Sequence, residues 1–347
     1  MTSRAIAILA YLLLPGLLLL GGAERADSLI DPYSSTAAKG LLALYLVIHH
    51  FVQKMPERAW YLDPMAWFGF LIVGWFFLTS GYGTLLSCEK NGLRGFWKKK
   101  LKRIWLPFVL AVPIEGLLRL FLMKQEGSVA AAFGNALTLR TLDGKFMWYI
   151  ATQIVMYSCF YLPYRFLKNK RICFVVMLAL ITVFDVVNIA TRQPDYKWVT
   201  CSCFAVGVLL GQNRTRLRAW IGKVNLWGGV VLAAAVFLAV SVLLVWWHQR
   251  WNVFILTPLS ACALALLTSR LRFRSKALHW LGTISFEIYI TQLVMIELAI
   301  WHWGSSWKAL LFALTASVLF AWLVSGASKA LIARFEQIAE RICRKNK

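Results

Sequence analysis

Residues 37–55 read AAKGLLALYLVIHHFVQKM, an apolar run with one lysine near its start and two adjacent histidines near its end. Asp31 and Pro32, just upstream, supply an N-cap and a first-turn proline, so the spacing predicts a helix that starts there and ends near Met55. So long an apolar helix with so few charges reads as a membrane span. Helical phase separates its polar residues. At about 100° per residue, Lys39 and His50, eleven residues apart, return to within about 20° of one face, and His49 points about 80° away. The rise between them is roughly 16 Å, about half of the hydrocarbon thickness. A lysine inside a span is a functional candidate, with snorkelling to the headgroups as the bland alternative. His49 reads as a packing histidine.

The same pattern repeats along the chain. Of the 347 residues 60% are hydrophobic and 15% charged, against about 25% charged in soluble domains. Apolar segments cover roughly 5–22, 32–54, 64–86, 104–123, 146–164, 172–190, 198–212, 226–247, 253–268, 279–302 and 308–332. The expected fold is all-α: a polytopic transmembrane helical bundle of ten core spans over 31–335. An extra hydrophobic segment (1–30) precedes it and a basic cytoplasmic tail (336–347) follows. Segments 198–212 and 253–268 are short for a span of about 20 residues. In segment 5–22, Arg4 before an apolar core suits a signal peptide, Pro15-Gly16 suits a half-inserted helix, and an uncleaved span fits the downstream charges better.

The net charge of +23 resides in short clusters between apolar runs, such as KKKLKR at 98–103, RTRLR at 214–218 and RLRFRSK at 270–276. That is the positive-inside pattern of a bilayer protein with its C-terminus in the cytoplasm, and it argues against nucleic acid as partner. The cysteines lie mostly inside apolar runs with no zinc spacing, so no metal is expected.

Other polar stretches stand out. GWFFLTSGYG at 74–83 sets Thr79, Ser80 and Tyr82 in an apolar setting, as groove or oxyanion donors or as ordinary small-residue packing. FWKKKLKRIWLPF at 96–108 brings Lys100 and Arg103 onto one face at a helix entrance, which suits a phosphate-bearing ligand, although a plain basic cluster would look alike. FMWYIATQIVMY at 146–157 places Gln153 inside a span, and LGTISFEIYITQLVMIE at 281–297 carries Glu287, Gln292 and Glu297. Glu287 and Glu297, ten residues apart, do not share a face and are no acid/base pair by spacing.

In this order, these stretches resemble the integral-membrane acyltransferase-3 family of bacteria, over about residues 31–335. KGLLALYLVIHH resembles its first-helix signature, GWFFLTSGYG its FFxxSG(F/Y) stretch, and KKKLKRIWLPF its R-x-x-R entry followed by Ile and Pro. FMWYIATQIVMY and LGTISFEIYITQ are similar to its W-(F/Y)-L helix and its late LGxxSxxIYLxH helix. The resemblance implies a membrane O-acyltransferase in the bacterial plasma membrane, moving an acyl group, usually acetyl from acetyl-CoA, to a hydroxyl of a cell-surface glycan or lipid-linked saccharide. It implies His50 as catalytic histidine, Lys39 as its cationic partner, and Lys100 with Arg103 as the pair that meets the coenzyme. Lysine replaces arginine at 39 and 100, Gln153 replaces a frequent glutamate and Gln292 a frequent histidine. Direct transfer and an acyl-histidine relay both fit. The rival reading is a proton-coupled secondary transporter with a midplane His/Lys site, which lacks a visible inverted repeat.

Overall fold

The computed structural model describes residues 23–25, 28–137, 147–247 and 249–345, so the hydrophobic segment at 5–22 lies outside the described residues. Helix α1 (Pro32–Lys54) begins and ends where its cap residues predict. The Asp31 carboxylate accepts from the Ser34 N–H at 2.7 Å and the Ser34 hydroxyl at 2.8 Å, and Met55 is the C-cap. Beyond it come α2 (Asp63–Trp67), α3 (Gly69–Asn91), α4 (Phe96–Phe121), α5 (Val129–Leu137), α6 (Trp148–Phe166) and α7 (Lys170–Ala190). The second half holds α8 (Ser202–Gln212), α9 (Arg214–Gly222), α10 (Leu226–Trp246), α11 (Arg250–Arg270), α12 (Lys276–Thr283), α13 (Ser285–Trp303) and α14 (Trp307–Lys345).

Among the described residues, seven helical stretches are long and apolar enough to cross a membrane, or eight if α12 and α13, bent by 77° at their break, form one span. This is a multi-pass membrane architecture, but the expected ten core spans are reached only in part. Helix α8 has 11 residues, about 16 Å, which is too short for the hydrocarbon core. Helix α6 is diluted by Gln153 and its tyrosines. Helix α14 runs unbroken through residue 335. One feature is not helical. Strand β1 (Ala23–Arg25) pairs antiparallel with β2 (Leu271–Phe273), and the Phe273 N–H donates to Ser34 Oγ at 2.9 Å. Strands of three residues carry too few positions for a readable alternation, which is why the sequence signals helices alone.

Helix α1 is buried on nearly every face, with α3, α12, α13 and α14 packed against it. Glycines permit the closest approaches. A Cβ on Gly40 of α1 would run into the Leu278 carbonyl of α12, and one on Gly282 of α12 would run into the Thr36 carbonyl of α1. Helices α3 and α8 meet in the same reciprocal way, through Gly81 against the Phe204 carbonyl and Gly207 against the Leu78 carbonyl. Backbone cannot yield as a side-chain tip can, so Gly282→Ala should destabilise the bundle by about 1–3 kcal/mol. Gly222→Ala, where a Cβ meets nothing, should be neutral or better. Thermal unfolding of the two variants in detergent checks this, and equal midpoints would refute it.

Candidate active site

Helix α4 enters the bundle behind Gly95, whose φ of 68° only glycine adopts readily. Its first turns carry Lys100 and Arg103 toward Lys39 of α1. The charges of Lys39 and Arg103 act on each other, and Lys100 feels both. Lys100 is held firmly: Nζ donates to Thr84 Oγ1 of α3 at 2.9 Å and lies 3.9 Å from the ring centre of Tyr157 on α6. Tyr157 in turn shares a 3.0 Å hydrogen bond with Ser80 Oγ. Pro107 has no N–H to bond the Arg103 carbonyl one turn back. Arg103 is exposed, whereas Lys39 and Lys100 are half-buried, so the cluster opens to its surroundings at Arg103. The Arg103 charge also reaches Tyr149, Tyr157 and Glu287. Three cations gathered near one carboxylate leave surplus positive charge, which favours an anionic ligand.

Helix α1 is continuous from Lys39 to His50, so their spacing keeps them on one side and about 16 Å apart along the axis. His50 is buried, and its ring centre lies 5.0 Å from that of His49. His49 has a structural seat. Its Nδ1 lies 2.8 Å from the Met65 carbonyl, and its ring occupies the space that a side chain at Gly69 would need. Replacing His49 by alanine should cost about 1–3 kcal/mol of stability, since the Met65 carbonyl loses its partner, yet leave most catalytic activity. A stably folded His49→Ala chain without activity would contradict this.

That contact also gives the level of the hydroxyl-bearing residues. His49 sits against Gly69, with His50 next to it in α1, whereas Thr79, Ser80 and Tyr82 lie ten or more residues further along α3, about 15–20 Å away. The structure therefore groups Ser80 with the basic cluster, through Tyr157, rather than with His50. The Thr79 hydroxyl donates to the Trp75 carbonyl of its own helix at 2.9 Å, and Tyr82 packs at the α3–α8 contact. Gln153 accepts from the Tyr149 hydroxyl at 3.0 Å, and Gln292 donates to the Tyr289 carbonyl at 3.3 Å, with the two tyrosine rings 5.5 Å apart. One end of each amide is hydrogen-bonded, while Gln153 Nε2 and Gln292 Oε1 are buried with no partner among the described residues.

Two features escaped the sequence. One is the Thr84–Lys100–Tyr157–Ser80 chain, whose members come from α3, α4 and α6. The other lies at the far end of α1, where Lys54, Glu297, Arg119 and Glu115 form a network. The pair Glu115 and Arg119, four apart in an apolar helix, was the available signal. A cavity of about 620 Å³ opens between α4, α6 and α14, walled by Leu101, Trp105, Phe108, Ile154 and Phe335. It includes none of the cluster cations.

The model of an acyltransferase domain, that of the acyltransferase-3 family, matches residues 33–326. The chain belongs to the acyltransferase-3 family. No curated protein and no solved structure matches it. The matched region of this acyltransferase takes in Lys39, His50, Lys100 and Arg103, and it stops inside α14.

Proposed function

We propose that this acyltransferase moves an acyl group, acetyl in the simplest case, from acyl-CoA to a hydroxyl of a cell-surface glycan or lipid-linked saccharide. The observation that carries the reading is the separation of charge from base. Lys39, Lys100 and Arg103 gather at one level, and His50 lies about 16 Å further along the face of α1 that Lys39 shares. A donor whose phosphates and reactive carbonyl are joined by a long arm, as in coenzyme A, matches such a layout. The cations hold the phosphates, with Arg103 suited to bidentate contact and the two lysines acting as point charges. In this reading Ser80 and Tyr157 serve the donor end, because they hold Lys100.

The chemistry then falls to His50. An imidazole nitrogen takes the proton of the acceptor hydroxyl as its oxygen attacks the thioester carbonyl. Collapse of the tetrahedral intermediate breaks the carbon–sulfur bond, and the departing thiolate recovers the proton from His50. Membership of an acyltransferase family supports this over a proton-coupled transporter.

The test uses membranes that carry the chain and acetyl-CoA labelled in the acetyl group. Label should enter envelope glycan as an ester released by mild alkali, and membranes without the chain should incorporate none. Label that resists alkali, or equal label in both, would refute O-acyl transfer.

A further inference from the structure

Helices α1, α4 and α13 are linked at the basic cluster, where the Arg103 charge acts on Lys39 and Glu287, and they are tied together again at the other end. Glu297, on α13, receives Lys54 Nζ of α1 at 3.0 Å through Oε1 and Arg119 Nε of α4 at 2.9 Å through Oε2. Arg119 also reaches Glu115 Oε2, one turn back on α4, at 3.4 Å. Two cations and two carboxylates balance, and Glu115 and Glu297 are only 4% and 19% exposed. Ionisable groups at such depth are costly in a membrane and mark function. A buried ion pair adds little net stability over well-packed apolar side chains, so its most defensible use is geometric. Lys54 lies four residues past His50, which makes the two side chains neighbours on α1.

We propose that Glu297 is a positioning residue for His50: its two carboxylate oxygens join the α1 turn that carries the imidazole to α4 and α13. The inference rests on the reading of His50 as general base. Each oxygen holds a cation from a different helix, so the carboxylate fixes where this turn of α1 stands against α4 and α13, while His49 and Gln53 hold it to α2. A catalytic group must be held to about 0.5 Å; beyond His50, Gln53 Nε2 ties α1 to the Ala66 carbonyl of α2 at 3.2 Å, and Lys54 ties it to Glu297 of α13 and so to Arg119 of α4. Without the Lys54 tie the last turn keeps its hold on α2 but loses its ionic link to α13 and α4. Lys39, Lys100 and Arg103 lie at the opposite end of the same helices and keep their own contacts. Donor binding should therefore not follow Glu297.

The experiment measures acetyl transfer to endogenous glycan in membranes carrying the full chain, with acetyl-CoA concentration varied. Glu297→Gln should lower the maximal rate about 10- to 100-fold, with the KM for acetyl-CoA changed by less than about twofold. Lys54→Met should behave alike, and Lys54→Arg, which keeps the cation, should retain at least about a third of the wild-type rate. A parallel fall in rate and donor affinity would overturn the proposal. So would a Lys54→Arg chain as poor as Lys54→Met, or neutral variants that no longer extract as folded protein while Lys54→Arg does, since each assigns the network to general stability. A His50→Ala chain with the wild-type rate would instead sink the base assignment, whatever Glu297→Gln does, so the two failures are distinct.

Discussion

Replacing His50 by alanine should slow acetyl transfer by about 10²- to 10⁴-fold, the range a positioned general base contributes. The KM for acetyl-CoA should stay near its wild-type value, because the cationic cluster sits about 16 Å away along α1. His50 is 8% exposed, so alanine leaves a void, and His50→Gln serves as the second variant. Glutamine keeps much of the volume and the hydrogen-bonding capacity but accepts no proton near neutral pH. Both variants should extract from membranes as folded protein and both should be slow. Either one within a few-fold of wild type removes His50 from the chemistry. His49, seated against Met65 and Gly69, is the internal comparison. An inactive His49→Ala chain beside an active His50→Ala chain would exchange the two assignments.

The double variant Lys100→Ala plus Arg103→Ala should raise the KM for acetyl-CoA about 100-fold or more, since charge-assisted hydrogen bonds contribute roughly 1.5–3 kcal/mol each. The maximal rate at saturating donor should fall much less. The two residues differ in kind. Arg103 is exposed, so its removal disturbs the bundle least, and Arg103→Ala alone should account for about a tenfold change in KM. Lys100 also joins Thr84 and the Tyr157 ring, so Lys100→Ala should lower thermal stability as well. Arg103→Lys should recover part of the affinity, because it restores the charge but not the two-pronged geometry. An unchanged apparent donor affinity in the double variant, with folding intact, would end the phosphate-clamp reading. High salt should weaken donor binding more in the wild type than in the double variant.

The first helix was legible because its determinants are local. Asp31, Pro32 and Met55 define its ends through contacts within a few residues, and helical periodicity alone relates Lys39 to His50. Membrane character was legible for a similar reason: hydrocarbon imposes a length and a composition on each span that a single stretch displays. The number of spans was not. Helix α8 looks apolar in sequence but yields only 11 helical residues. The bend between α12 and α13 falls at Ile284, in a run with no proline to announce it.

Within the site, the same division holds. Lys100 and Arg103 were readable as a basic entrance, but their meeting with Lys39 depends on how α4 crosses α1. The hydroxyls of α3 looked available for an oxyanion at His50, and only the contact of His49 with Gly69 shows that they lie at another level. Gly40 and Gly282 mattered more than their sequence suggested, because each lies beneath a carbonyl of the other helix.

Sequence by itself determined the membrane class, the limits of α1, the shared face of Lys39 and His50, and the family, since all of these are written in local spacing and composition. Tertiary structure alone decided which polar groups keep company. Lys54 and Glu297 are 243 residues apart and Arg119 and Glu297 178, and no periodicity spans such distances. Glu297 became a candidate only when packing brought two cations from different helices to its two oxygens.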